Sequence, residues 1–256
     1  MRPSDDFLNA VRFLTIVPVP AAQSTMDGDW LARSLAYFPL VGAAIGALSG
    51  AVLLIASGVW SGAIPALLAV AASVAVTGAL HEDGLADTAD GLGGGRTPER
   101  RLAIMKDSSI GVYGALALGF GVALRVAALA ALPPSTAAAA LVAVHAMARI
   151  APAVVMSAMA YAGDAKAMKA GYSETPMTQF GKTWMAGVTL LALLPLAFVS
   201  VRAAIAGVLA GAVLAVWLMR RAKKLIGGYT GDVLGAVEQM VEIGFLLGVA
   251  AVMHSR

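Results

Sequence analysis

The sequence predicts an all-α, polytopic integral membrane protein with about seven transmembrane helices, read as a single membrane domain over residues 1–256. Three observations carry that prediction. Of the 256 residues, 59% are hydrophobic and only 13% are charged, and mean hydropathy is +0.82; a soluble domain of this size cannot cover its surface with so few charges. Uncharged apolar stretches long enough to cross a bilayer recur along the chain. Lysine and arginine gather in alternate connecting segments, the pattern that fixes the orientation of a helical membrane protein.

Taken in order, residues 5–20 mix apolar and polar positions and end in Pro18 and Pro20, which predicts a short interfacial helix. Asp5, Asp6 and Arg12 interrupt the apolar core that a cleavable signal peptide requires. Apolar windows of about 20 residues then predict spans at 36–57, 62–80, 113–132, 136–161, 184–200, 203–219 and 234–253. Gly42, Gly46 and Gly50 recur every fourth residue in the first span, which predicts close approach of a neighbouring helix. Ser61-Gly62 and Pro133 to Ser135 read as hairpin turns, and Arg202 marks the boundary between the fifth and sixth spans. The longest polar segment, 81–112, separates the second and third spans and reads as a cytoplasmic active-site loop.

With the N-terminus inside, the inside segments hold fourteen basic residues: Arg2, Arg12, Arg33, Arg96, Arg100, Arg101, Lys106, Lys166, Lys169, Lys182, Arg220, Arg221, Lys223 and Lys224. The outside segments hold two, Arg202 and Arg256, and Arg125 and Arg149 fall within spans. The asymmetry predicts a cytoplasmic N-terminus and an odd number of spans. It also accounts for the net charge of +3 without a nucleic-acid partner. The chain has no cysteine, which excludes a disulfide framework, a thiol nucleophile and a thiolate metal site.

The acidic residues are few and clustered. Glu82, Asp83, Asp87 and Asp90, four of the 15, fall within nine positions of HEDGLADTADGLGGGR at the end of the second span. On a helix, Asp83, Asp87 and Asp90 project from one face. Their repulsion is relieved if a hard cation such as Mg²⁺ sits between them; a solvated acidic helix end is the plainer reading. Gly93-Gly94-Gly95 beside Arg96 offers backbone N–H groups to a phosphate, or is a flexible turn. Lys106, Asp107 and Ser108 offer a cation, a carboxylate and a hydroxyl, with Lys106 suited to phosphate as a point charge. Asp107 or Ser108 is equally suited to start the third span as a helix cap. Near the C-terminus, Thr230 and Asp232 lie in a glycine-rich turn, and Glu238 and Glu242 lie four apart inside the last span. A carboxylate there has either a function or a partner, with Arg125 and Arg149 the available cations. His81, His145 and His254 stand on different segments without obvious partners and read as structural.

The charge count sets 81–112 and 220–233 on the same membrane side. Asp83, Asp87, Asp90, Asp107, Asp232 and Glu242 are therefore predicted to converge and hold metal for phosphoryl transfer. Catalysis falls to Asp83, Asp87, Asp90 and Lys106. Substrate binding falls to Glu82, Arg96, Lys106, Ser108 and Thr230.

The blocks FLTIVPVP, YFPLVGAAIGALSG, HEDGLADTADGLGGGRTPERRLAIMKDSSIGVYGALAL and GGYTGDVLGA run in order from about residue 13 to 247. Together they resemble the cobalamin-5′-phosphate synthase family, the adenosylcobinamide-GDP ribazoletransferases. The resemblance implies a bacterial inner-membrane enzyme that joins adenosylcobinamide-GDP to α-ribazole or its 5′-phosphate, releases GMP and requires Mg²⁺. It implies roles for Asp83, Asp87 and Asp90 of the first motif, Asp107 of the second and Asp232 of the third, with Glu242 at a position that usually carries an acid. After the Gly-Asp motif the family often reads Gly-Ala-Ala-Asn-Glu, whereas here Gly235-Ala236-Val237 precedes Glu238-Gln239. The acid stands one place early, turned by about 100° on a helix, which argues against a ligand role for Glu238. Asp87 to Gly91 is also similar to the short acidic motif of CDP-alcohol phosphotransferases, but the Ala-Arg that follows there is missing. Membrane lipid, other cobalamin-assembly enzymes and a second copy of the chain are compatible partners.

A cation-coupled transporter is the rival reading. It predicts acids at mid-membrane around broken helices in two matching halves, and the sequence contains no such repeat.

Overall fold

The computed structural model describes residues 3–20, 30–163 and 177–254. Arg2, Lys166, Lys169 and Arg256, used above for orientation, lie outside the described residues. The described chain is helical, with one isolated bridge between Tyr161 and Tyr229. Twelve α-helices follow in order: α1 Pro3–Leu14, α2 Trp30–Ser34, α3 Phe38–Ser57, α4 Ile64–Thr77, α5 Leu80–Gly94, α6 Pro98–Met105, α7 Val112–Ala130, α8 Pro134–Ala148, α9 Ala151–Ala158, α10 Gln179–Val199, α11 Val201–Ile226 and α12 Gly231–His254.

Among the described residues, six stretches are long and apolar enough to cross a membrane: Trp30–Ser57, Val112–Ala130, Pro134–Ala158, Gln179–Val199, Val201–Ile226 and Gly231–Met253. The predicted second span is broken. α4 has 14 residues, about 21 Å at 1.5 Å per residue, short of a hydrocarbon core of about 30 Å. Gly78 and Ala79 then both adopt left-handed backbone, at φ 62° and 59°, and α5 leaves at 91° to α4. Gly78 has a second reason to be glycine, since a Cβ there meets Ile16 Cγ2 at 2.6 Å. Segment 81–112 is thus two helices and a turn, and its clustered acids Glu82, Asp83, Asp87 and Asp90 lie on α5, past the apolar part of α4. The sixth span also runs to Ile226 instead of 219, because Arg220, Arg221, Lys223 and Lys224 continue the helix. Cations in a last turn complement the helix dipole. The break before it falls at Ser200, whose Oγ accepts from Ala203 N at 3.2 Å.

The glycine row of the first span does what its spacing predicts. Cβ atoms added at Gly42 and Gly46 run into the backbone of His145 and Leu141 on α8, so α3 and α8 touch backbone to backbone. Gly244 and Gly248 play the same part between α12 and Ala206 and Ala210 of α11. The helix predicted for residues 5–20 is observed as α1 and ends sooner, at Leu14. Its Ala10 and Leu14 are buried with Trp30, Leu31 and Phe38, so it packs over the start of the first span.

The elements before and after each span sort into two ends. At one end, Ile16 N donates to Val76 O at 2.9 Å and Tyr229 N donates to Ala160 O at 2.9 Å. There also Arg101 Nη1 donates to Leu225 O at 3.2 Å, closing α6 onto the end of α11. Segments 81–112 and 220–233 therefore meet at that end. At the other end, residues 57–62 lie beside Leu132 and Pro134, and Leu132 shares a buried cluster with Ala203, Ala204 and Val249.

Candidate active site

α5 and α12 cross at Gly84, where an added Cβ lies 2.7 Å from Asp232 O. The crossing brings Asp83 and Asp87 of α5 next to Asp232 at the start of α12. Asp83 is exposed, while Asp87 and Asp232 are half-buried. The Asp87 carboxyl is pushed up to about 6, first by burial and then by the charges of Asp83, Asp232 and Asp90. Thr230 Oγ1 donates to Asp232 Oδ2 at 3.2 Å and accepts from Val233 N at 3.3 Å, so it caps α12 and orients the aspartate.

Beside this pair of helices lies a cavity of about 370 Å³. Asp83, Asp232, His81 and Glu238 line one part of it, and Phe13, Leu31, Leu35, Phe38, Pro152 and Met156 line the rest.

The other predicted residues go elsewhere. Asp90 is buried, and its two oxygens accept from Gly111 N at 2.7 Å and Gly114 N at 2.9 Å. It is the cap of α7, reached from 21 residues upstream, a role the sequence suggested for Asp107 or Ser108. Asp107 instead accepts from Ser109 N at 2.9 Å, and those local contacts hold its carboxyl below the ordinary range. Lys106, Asp107, Ser108 and Arg96 are exposed. Among the described residues, no hydrogen bond or ion pair joins them to Asp83, Asp87 or Asp232. The Gly93–Gly95 run closes a helix. Gly93 and Gly94 finish α5, and added Cβ atoms at Gly93 and Gly94 meet Tyr113 at 2.8 Å and Ile104 at 3.5 Å.

Glu82 points the opposite way from Asp83, into the bundle, where Arg125 Nη2 donates to its Oε1 at 3.0 Å. Arg125 Nη1 also donates to Glu242 Oε2 at 2.9 Å. Arg149, at the junction of α8 and α9, donates to Glu242 Oε1 and approaches Glu238 Oε2 at 3.4 Å. His145 Nδ1 lies 3.0 Å from Glu242 Oε1 and His81 Nε2 lies 2.7 Å from Glu238 Oε2. The structure thus places Glu242, 2% exposed, among two guanidiniums and a histidine, and Glu82 on a guanidinium. His81 and His145, which the sequence left without partners, both belong to this cluster. It ties α5, α7, α8 and α12 together beneath the acidic surface.

The sequence profile of the family described as cobalamin-5-phosphate synthase matches residues 6–250. The chain belongs to that family. It is an enzyme of that family, a membrane transferase, and it is similar to curated relatives along nearly its whole length. One, from Leptothrix cholodnii, carries the name adenosylcobinamide-GDP ribazoletransferase and is 39% identical over 94% of this chain and 93% of its own. Another of the same name, from Azorhizobium caulinodans, is 43% identical over 94% of this chain and 93% of its own. No solved structure matches. The family's FLTIVPVP block, which drew no chemical role from its sequence, begins at Phe13 on the cavity wall.

Whether the carboxylates suit a divalent ion is a question of donor set. Among the described residues no three acidic or histidine side chains close around a single point. Mg²⁺ does not ask for such a cage: it keeps several waters and is held by one or two carboxylates together with substrate phosphates. Asp83, Asp87 and Asp232 supply oxygen only and crowd like charge together, and Asp83 and Asp232 line the cavity. An all-oxygen donor set of this kind is chemically suited to a hard cation.

Proposed function

We propose that the chain transfers the cobinamide-phosphate moiety of adenosylcobinamide-GDP to α-ribazole or its 5′-phosphate, releasing GMP, at the cytoplasmic face of a bacterial inner membrane. The observation that carries the reading is the meeting of Asp83, Asp87 and Asp232, from segments about 150 positions apart, beside a cavity in a chain that matches ribazoletransferases end to end. The fourteen-to-two distribution of basic residues supports the cytoplasmic side.

In the proposed reaction a ribazole hydroxyl oxygen attacks the phosphorus on the cobinamide side of the diphosphate. A phosphorus–oxygen bond to the acceptor forms as the bond to GMP breaks, and the hydroxyl proton passes to water. Asp83, Asp87 and Asp232 would hold Mg²⁺, which when bound neutralises diphosphate charge and stabilises the leaving oxygen. Asp90 and the Thr230 cap keep α7 and α12 in place around the carboxylates. Lys106 and Arg96, exposed at the same end, are assigned to phosphate attraction in solution. Glu242 is left out of the ligand set because its two oxygens already serve Arg125, Arg149 and His145.

A cation-coupled transporter would need an open carboxylate at mid-membrane; the acids there are engaged by arginine and histidine. The test is GMP release from adenosylcobinamide-GDP and α-ribazole by protein reconstituted in lipid. Asp87→Asn is expected to abolish Mg²⁺-dependent release without any loss of thermal stability. Wild-type turnover by that variant would remove Asp87 from the reaction.

A further inference from the structure

The cavity beside the carboxylates has a lining of two kinds, apolar and acidic. Phe13, Phe38 and Met156 belong to its apolar part, while Asp83, Asp232 and Glu238 line its polar part. Glu238 is 2% exposed and lines the cavity; its Oε2 is taken up by His81 at 2.7 Å and Arg149 at 3.4 Å, which leaves its other oxygen for a ligand. A nine-tenths-buried carboxylate on the wall of a cavity therefore keeps capacity to accept from a ligand hydroxyl.

Size and polarity then select among the pieces of the two substrates. A volume of about 370 Å³ lies at the small end of the range for small-molecule sites, roughly 300–1,000 Å³. A corrin bearing its amide side chains is too bulky for it. Guanine is small enough, but its amide and amino groups would be stranded against Phe13, Phe38 and Met156, and unpaired polar groups in an apolar wall are penalised. A methylated benzimidazole has no exocyclic polar group, stacks well on phenylalanine, and is joined to a ribose whose hydroxyls are donors.

We propose, on the basis of the transferase reading above, that this cavity is the subsite for the acceptor. The aromatic base sits against Phe13 and Met156, with Phe38 backing Phe13 in a stacked pair whose ring centroids are 5.6 Å apart, and the ribose hydroxyls face Asp83, Asp232 and Glu238. The donor's corrin and guanosine stay outside it. The apolar wall, built from α1, α3 and α9, then sets which base is accepted, while α5 and α12 supply the chemistry.

Met156 is half-buried on a flexible side chain, so Met156→Trp fills the apolar part with little effect on the carboxylates. The expected result is a KM for α-ribazole raised at least tenfold with the KM for adenosylcobinamide-GDP within twofold of wild type. A raised donor KM with an unchanged acceptor KM, or no change in either, overturns the assignment. Competition on the wild-type protein needs no variant: free 5,6-dimethylbenzimidazole should displace α-ribazole in equilibrium dialysis without donor or turnover, and guanosine should not. Displacement by guanosine alone overturns the proposal. Because dialysis reads binding only, its failure is separable from failure of the parent reading, which is absence of GMP release by the wild-type protein with any nucleoside acceptor.

Discussion

Replacing Arg149 by methionine tests whether the buried ion cluster is what holds the acidic helix in place. Arg149 is 1% exposed and stands among Glu242, Glu238, His145 and His81. Methionine keeps much of the length and removes the charge. At the 3.4 Å separation from Glu238, a unit charge pair at an effective dielectric of about 20 is worth about 5 kcal/mol. Relief of the arginine's own desolvation offsets part of that, and measured losses from breaking a buried pair run about 3–5 kcal/mol. At roughly 2–4 °C per kcal/mol for a chain of this size, thermal unfolding in a fixed detergent should fall by on the order of 10 °C. Glu242→Gln should be costly as well, since it leaves Arg149 and Arg125 short of a counter-charge. The double variant should be less damaged than the sum of the two, because it removes both members of the pair. A fall of under about 3 °C for Arg149→Met, or strict additivity in the double variant, would refute the view that this pair carries the packing of α12 on α8.

Other expectations follow from single contacts. Asp90→Ala removes the acceptor for two N–H groups at the start of α7; it should cost about 2 kcal/mol, the upper end for a lost cap, and speed amide exchange at Gly111 and Gly114. Unchanged exchange there would contradict the capping role. Gly46→Ala places a methyl against the Leu141 carbonyl and 2.7 Å from Val142 Cα, and should destabilise by about 1–3 kcal/mol. Gly119→Ala, with nothing within 4 Å, should instead stabilise by up to about 1 kcal/mol, so equal effects would argue against close α3–α8 packing. Asp87, raised to about 6 from 3.8, binds its proton more tightly folded than unfolded. In chelator its contribution should therefore erode stability as pH rises from about 4 to about 6. Asp87→Asn should flatten the unfolding temperature across that window, and identical pH slopes for the two proteins would count against the crowded carboxylates.

Much was legible in the residues alone. Apolar stretches, the alternation of basic segments and the glycine row depend on composition and spacing, and the bilayer tolerates few alternatives: backbone groups in lipid must be satisfied within each helix. The acidic face of α5 was visible for the same reason, because Asp83 and Asp87 lie one helical turn apart. Side-chain destinations were not. Glu82 and Asp83 are neighbours in sequence, yet one pairs with Arg125 inside the bundle and the other lines the cavity, since successive residues on a helix point about 100° apart. Asp90 looked like a third ligand and caps α7 instead, a choice made by where Gly111 and Gly114 arrive. Pairing between charges 60 or more positions apart depends on which helices touch. That was decided by the tertiary structure, through backbone contacts of α3 with α8 and of α11 with α12 that bring His145, Arg149, Glu238 and Glu242 into one place.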